Sequence, residues 1–187
     1  MDDLPIYLLP GGKMPQRMTE EAIGYDVYLR AVVSAFEEDP SNPNLRKTLF
    51  DFQNRPAAPN INRQVVKVED ELVYRMNPGE SALVGIGFVT AMPFPMFYWV
   101  APRSGLSSKH GITVTNAPGT VDPDYRGEAG VLVYNRNSTT FYLRHDMRIA
   151  QIIFQYALIP ELEGVHTYEE LMQTQRGAGG FGSTGLQ

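Results

Sequence analysis

Glycine and proline divide this chain into short segments, and that division constrains its fold more than any other feature. The 187 residues include 17 glycines and 14 prolines. Between them lie short stretches of β-branched and aromatic residues, and no helical repeat is sustained along the chain. The pattern favours strands joined by turns, and it predicts an all-β domain with one or two short helices.

The predicted strands become regular after residue 65. Val131 and Val133 alternate with Leu132 and Tyr134, so this strand is apolar on both faces and should lie between two layers, as in a sandwich or a closed barrel. The full set of candidate strands is Leu4–Leu9, Tyr25–Val33, Val65–Val68, Leu72–Arg75, Leu83–Thr90, Phe97–Val100, Ile112–Thr115, Glu128–Asn135, Thr140–Leu143 and Ile149–Ala157.

Residues 36–64 have a different character, because three acidic residues are followed by four prolines and five asparagines. We interpret them as a loop-rich insertion with one or two helical turns around Leu45–Phe52. Near the other end of the chain, Thr167 and Glu170 have the spacing of a capping box, which predicts a short helix over Tyr168–Gln173.

Composition excludes several functional classes. The chain has no cysteine, which rules out disulfides, thiol nucleophiles and zinc–cysteine sites. Its formal net charge of -5 argues against a protein that coats nucleic acid. The longest apolar stretch, Ala91–Pro102, is short and contains three prolines, so no membrane span is expected. No secretory signal precedes it, and we expect a cytoplasmic protein.

Two segments have the composition of phosphate sites. Pro102–Lys109 combines an arginine with a serine at a point where a helix could begin, although an ordinary strand-to-helix turn has the same composition. Arg176–Gly185 is rich in glycine, so its backbone amides could hold phosphate oxygens. It lacks the strand and the helix of a dinucleotide fingerprint, and a disordered tail is the alternative interpretation.

A third segment, Gly119–Gly127, places two carboxylates and a tyrosine on a turn that contains Pro123. A carboxylate in such a turn could orient and deprotonate a water molecule. A turn aspartate that only caps its own backbone is the common alternative. Arg148–Gln151 adds a cation and an amide on an apolar strand, where an edge-strand pair is the simpler explanation.

Taken in order, five segments of this chain resemble the motifs of the trimeric dUTPase (dUTP diphosphatase) family. Any one of them is a weak signal, but five in order with compatible spacing are a strong one. They are Ala22–Val27, Pro102–Leu106, Asn116–Gly127, Arg148–Gln151 and Arg176–Gly185.

The resemblance implies a jelly-roll-like β domain over 1–175, which carries the 36–64 insertion, and a flexible glycine-rich C-terminal arm over 176–187. It implies a homotrimer with shared active sites in which the arm of one subunit closes over the site of another. The implied reaction is hydrolysis of dUTP to dUMP and pyrophosphate, which limits uracil in DNA. Mg²⁺ would be held by the triphosphate and waters, with no direct protein ligand.

The resemblance also implies a role for each matching residue. Asp122 would be the general base, Tyr125 would exclude a 2′-hydroxyl, and Phe181 would stack on uracil. Asn116, Thr120, Val121 and Gly130 would contact the nucleoside, and Asp26 and Arg148 would have supporting roles. The phosphates would be bound by Arg103, Ser104, Gly105, Gln151, Arg176, Gly182, Ser183 and Thr184.

Two other functions remain open from the sequence. A dCTP deaminase shares the implied fold, but that family carries a catalytic glutamate ten residues after the turn aspartate, where this chain has Leu132. The second alternative is a regulator of dUTPase fold that acts on a protein partner through residues 36–64.

Overall fold

A computed structural model describes residues 3–53, 61, 63–171 and 174–179. Within those residues the chain forms fourteen strands, one α-helix and one 3-10 turn at Tyr168–Glu170. The helix α1 is Ser104–His110. The strands are β1 Ile6–Leu8, β2 Tyr25–Tyr28, β3 Ala31–Asp39, β4 Asn42–Asp51, β5 Val65–Val68, β6 Glu71–Met76, β7 Ser81–Gly85, β8 Phe88–Thr90, β9 Met96–Ala101, β10 Ile112–Val114, β11 Gly119–Val121, β12 Gly130–Asn135, β13 Phe141–Leu143 and β14 Arg148–Tyr156.

Antiparallel pairing joins these strands into four sheets, which confirms the predicted all-β fold. The larger two have the orders β10-β12-β7-β3-β4 and β11-β9-β14-β2, and the smaller two are β13-β6-β5 and β1-β8. Several strands that pair in a sheet, such as β2 and β14, are far apart in sequence. The chain therefore passes from one sheet to another between them, as in jelly-roll folds.

Side chains from the two larger sheets, and from β6 and β13, meet in one apolar core. In β12, Val131 and Val133 are fully buried while Leu132 and Tyr134 are half-buried, so one face of this strand is wholly internal and the other partly so. The largest buried side chains are Tyr98, Phe50, Phe88, Leu29, Met76 and Ile86. The alternation of period two therefore places the strands correctly against the core.

The prediction of a loop-rich insertion with helical turns is wrong for residues 36–51. Residues 31–51 form a long β-hairpin of β3 and β4, with Val32 paired to Phe50. The side chain of Phe50 is only 1% exposed, so burial of that ring holds the segment extended. Pro43 is tolerated because β4 is the edge strand of its sheet, where a missing amide donor costs little. Residues 54–60 and 62 lie outside the described residues.

Elsewhere, the strand and helix bounds differ from the predicted ones only locally. The predicted Leu83–Thr90 strand divides into β7 and β8 at Gly87, which has a φ of 78° that favours glycine. The three-residue strand β11 was not predicted. Thr167 and Glu170 do form a capping box, but the helix is limited to the 3-10 turn, and residues 172 and 173 are not described.

The chain divides into two compact units, residues 1–157 and 158–187. The strands and α1 all belong to the first unit, and the second contains the 3-10 turn. Among the described residues, none of the helical segments has the length and apolar character to cross a membrane. The predicted boundary between a domain at 1–175 and an arm at 176–187 stays a prediction.

If the β3–β4 hairpin belongs to the core, Phe50→Ala should lower the free energy of unfolding by about 3–5 kcal/mol, because it leaves a cavity beneath the sheet. Phe36→Ala is the matched control on the same hairpin, since that ring is 97% exposed and its removal should change stability by about 0.5 kcal/mol or less. Urea unfolding measures both. Equal effects of the two substitutions would contradict this assignment.

Candidate active site

Asp26, Arg103 and Arg148 form an ion-pair cluster where three segments meet. The Oδ2 atom of Asp26 lies 3.0 Å from Nε of Arg103 and 3.2 Å from Nη1 of Arg148. Arg103 also donates from Nη1 to the carbonyl oxygen of Arg148, at 3.1 Å. Asp26 is buried, so its carboxylate orients both guanidinium groups and leaves their other N–H groups available to a ligand.

Gln151 joins this cluster through the sheet. In β14 it pairs with Asp26 of β2 on one side and with Ala101 of β9 on the other, and its Nε2 donates to the carbonyl of Pro102 at 3.0 Å. Ser104 and Gly105 begin helix α1 as predicted, and both are exposed. The three segments thus bring together five predicted phosphate contacts and supports in addition to Asp26: Arg103, Ser104, Gly105, Arg148 and Gln151.

The predicted nucleoside contacts lie around the segment β10–turn–β11, whose two strands pair with β12 and β9 and not with each other. Asn116 is in its turn, and a Cβ built on Gly119 would lie 3.2 Å from Nδ2 of Asn116. Thr120 is exposed and Val121 is half-buried on β11. Gly130 begins β12, the strand that pairs with β10. These residues therefore belong to one continuous segment and to the strand that pairs with its first half.

Asp122 and Tyr125 lie in the turn that follows β11. The amide of Tyr125 donates to the carbonyl of Asp122 at 3.2 Å, and its hydroxyl donates to the carbonyl of Glu128 at 3.0 Å. The Asp122 side chain is exposed and lines a cavity of about 480 Å³, and the rest of the lining is Met92, Phe94, Pro123, Asp124 and Arg126. Burial raises the pKa of the neighbouring Tyr98 phenol, and Tyr125 raises that pKa further.

The turn and the ion-pair cluster are not brought together in one chain. In the β9–β11 register Val121 is opposite Tyr98 and Gly119 is opposite Val100. Asp122, the residue after Val121, therefore lies near the Phe97 end of β9. Arg103 lies beyond the other end of that strand. A separation of six residues along an extended strand corresponds to roughly 20 Å. A single chain thus carries the candidate base and the candidate phosphate cluster at opposite ends of one strand.

The predicted arm is described only in part. Arg176 donates from Nε to the carbonyl of Gly179 at 2.8 Å, and Gly177, with a φ of 50°, donates its amide to the carbonyl of Thr174. These contacts give two tight turns. The remaining predicted arm contacts, Phe181, Gly182, Ser183 and Thr184, lie outside the described residues.

Comparison with known proteins identifies the family. A sequence model of the dUTPase family matches residues 67–185, which is well over half of the chain. The chain belongs to the dUTPase family. The match begins after the β3–β4 hairpin, so that hairpin is outside the part the family model covers.

Relatives and solved structures agree with this membership. The deoxyuridine 5'-triphosphate nucleotidohydrolase of Nautilia profundicola is 46% identical over 118 residues, which cover 63% of this chain and 79% of the relative. That of Desulfotalea psychrophila is 47% identical over 112 residues, 59% of this chain and 72% of the relative.

The solved structures support the fold. The dUTPase of Staphylococcus bacteriophage 80alpha, a mutant with dUpNHpp, is 19% identical with a TM-score of 0.70, and the likeness covers 100% of both chains. A dUTPase mutant of phage phi11 of S. aureus, whose structure details a structural Mg(II) ion, is 17% identical with a TM-score of 0.63, covering 90% of this chain and 99% of that one.

A buried ion pair in this chain was not found by sequence reasoning. Arg30 donates to Glu128 from Nε at 2.8 Å and from Nη2 at 2.6 Å, and the amide of Gly87 donates to the same carboxylate at 2.7 Å. Burial lowers the pKa of Arg30, but the hydrogen bonds and charge of Glu128 outweigh it and the pKa is raised. The only sequence signal is a lone glutamate at the start of an apolar strand, and it does not name the partner.

Because Glu128 is 1% exposed, Glu128→Gln should cost about 3–5 kcal/mol of unfolding free energy by leaving the Arg30 charge buried and unbalanced. The matched control is Glu71→Gln, which breaks the half-exposed pair of Glu71 with Arg144 and should cost about 1 kcal/mol or less. Chemical denaturation of both variants gives the comparison. A Glu128 variant as stable as the Glu71 variant would show that the buried pair is not needed.

Proposed function

We propose that this chain hydrolyses dUTP to dUMP and pyrophosphate. The observation that carries the proposal is the Asp122–Tyr125 turn, in which an exposed carboxylate faces an open cavity within a member of the dUTPase family. Water attacks the α-phosphorus, the bond from that phosphorus to the oxygen bridging to the β-phosphorus breaks, and pyrophosphate leaves. Asp122 accepts the proton of the attacking water as general base.

Tyr125 and the β10–turn–β11 segment select the nucleoside in this proposal. The Tyr125 ring is held at its hydroxyl by the bond to Glu128, so it can press on the deoxyribose and leave no room for a 2′-hydroxyl. Asn116, with the backbone of Thr120 and Val121 and with Gly130 nearby, binds the uracil edge. Cytosine is rejected because its edge would leave buried polar groups unpaired.

The ion-pair cluster binds the phosphates. Arg103 supplies a forked guanidinium, Ser104 and Gly105 supply the first turn of α1, and Gln151 adds an amide. Asp26 and Arg148 hold Arg103 in place. In the arm, Phe181 stacks on uracil, and the terminal phosphates are bound by Arg176, Gly182, Ser183 and Thr184, which would exclude bulk water.

Magnesium is proposed as part of the substrate complex. Within the described ranges, no three histidine, aspartate or glutamate side chains cluster to hold a metal ion. The phosphate cluster offers guanidinium donors, and its carboxylate, Asp26, already binds two of them. Such a donor set fits Mg²⁺ that arrives on the triphosphate with its waters, where it would neutralise phosphate charge.

A homotrimer with shared sites is supported by the position of the two clusters along β9. One subunit would supply Asp122 and Tyr125, and another would supply Arg103 and Gln151, since roughly 20 Å is too far for both to reach one α-phosphorus. A partner for residues 36–64 also remains a proposal, and the 97% exposed ring of Phe36 at the hairpin offers it an apolar contact. The deaminase alternative is not favoured, since the matched family and relatives are dUTPases.

An assay of dUTP, dCTP, dTTP and UTP tests the proposed activity, with rapid release of pyrophosphate expected from dUTP alone. Asp122→Asn should lower kcat by about 100-fold to 10,000-fold, because the general base is lost, while dUTP still binds. Asp124→Asn is the matched control, because Asp124 is also exposed and lines the same cavity; if Asp122 alone is the base, this variant should retain the wild-type rate. Ammonia release from dCTP, or full activity of the Asp122 variant, would refute the assignment.

Mixing two inactive variants tests the shared sites. If Asp122 and Arg103 of one site come from different subunits, trimers reassembled from equal amounts of Asp122→Asn and Arg103→Gln should recover about a quarter of wild-type activity, since random assembly restores one ordered interface in four. Each variant reassembled with itself is the control. Recovery of no activity from verified mixed trimers would place both residues in one subunit's site.

A further inference from the structure

The tip of the β3–β4 hairpin lies directly against the loop that carries Tyr125. A Cβ built on Gly127 would lie 2.9 Å from the carbonyl oxygen of Asn44 and 2.4 Å from the hydroxyl oxygen of Tyr125. Gly127 is buried although its neighbours Tyr125 and Arg126 are exposed. The peptide of Asn44 therefore packs into the space that the absent side chain leaves open, next to the tyrosine hydroxyl.

A second connection runs through the buried ion pair. Asp39 and Asp51, at the two ends of the hairpin, both contribute to the raised pKa of Arg30. Arg30 holds the Glu128 carboxylate, and the carbonyl of Glu128 accepts the hydrogen bond of the Tyr125 hydroxyl. The hairpin thus lies beside the Tyr125 loop at Gly127, and its two aspartates contribute to the electrostatic surroundings of the pair that holds Glu128.

Hydrogen bonds and one ion pair link the two strands of the hairpin near Asn44 in the sequence. Lys47 and Glu37 pair across the two strands at 3.1 Å, and Arg46 donates to the carbonyl of Ala35 at 3.0 Å. The hydroxyl of Ser34 accepts the amides of Phe36 and Glu37. A braced hairpin of this kind can resist displacement of the loop that it touches.

We propose that the tip of the β3–β4 hairpin is a positioning element for Tyr125, and that the peptide of Asn44 thereby sets the preference for deoxyribose over ribose. This inference rests on the proposed dUTP hydrolysis. A ring that rejects a hydroxyl by lack of space must be fixed closely, because a shift of about 1 Å would admit it. The hydrogen bond to Glu128 fixes one atom of Tyr125, and the hairpin tip limits movement of the backbone beside it.

The test shortens the hairpin without touching the core. Replacing residues 35–46 by Asn-Gly leaves the Val33–Thr48 pair and the buried Phe50, and it closes the strands with a favoured two-residue turn. We expect kcat/KM for dUTP to fall by about tenfold and the preference for dUTP over UTP to fall by about tenfold to a hundredfold. Backbone amides of residues 122–128 should also exchange with solvent faster.

A second variant keeps the hairpin. Gly127→Ala forces the new methyl group between Asn44 and Tyr125, and we expect the same loss of preference for dUTP. Phe36→Ala, which removes a 97% exposed ring from the same hairpin, should leave activity, preference and exchange unchanged.

The outcomes separate the two proposals. A wild-type chain with no dUTP hydrolysis refutes the proposed function. Wild-type hydrolysis of dUTP, with an unchanged dUTP:UTP preference in either the shortened or the Gly127→Ala variant, refutes the positioning role even if the melting temperature falls.

Discussion

The buried pair of Arg30 and Glu128 is the interaction on which the arrangement of this domain depends. A carboxylate that is 1% exposed must have its charge and its hydrogen bonds balanced locally. Arg30 lies between β2 and β3, the Gly87 amide lies between β7 and β8, and Glu128 precedes β12, so one carboxylate joins three connections. A Cβ on Gly85 would lie 2.3 Å from Oε1 of Glu128, which explains the glycine there.

Because that pair fixes Glu128, it also fixes the loop before it, where Tyr125 donates to the Glu128 carbonyl. The turn itself could be predicted from the sequence, since Asp122–Gly127 has a family pattern, and the roles assigned to its residues stay predictions. The buried pair could not, because residues 30 and 128 are 98 apart and only the folded sheets bring them together. The local sequence therefore indicates the turn, whereas the ion pair that supports it depends on contacts between distant residues.

Most strands follow from alternation and turn residues, and the failures have local causes. Strand β4 begins Asn-Pro-Asn, which indicates a loop, but an edge position tolerates Pro43 and the buried Phe50 ring holds the segment extended. Strand β11 has three residues, too few to show a period. The distribution of the candidate site over two ends of β9 depends on strand register, which motif spacing does not specify.

Local arrangement, and not net charge, decides how an acidic chain can bind a triphosphate. The total of -5 opposes an anion only weakly at short range, because distant surface charges are screened over about 10 Å. At the cluster, one carboxylate faces two guanidinium groups, so an excess positive charge remains where Arg103 meets α1. Asp26 holds these cations in place before the ligand arrives. The two arginine side chains therefore lose less conformational entropy when the ligand binds. A carboxylate in a phosphate site is therefore consistent with binding when it orients more positive charge than it neutralises.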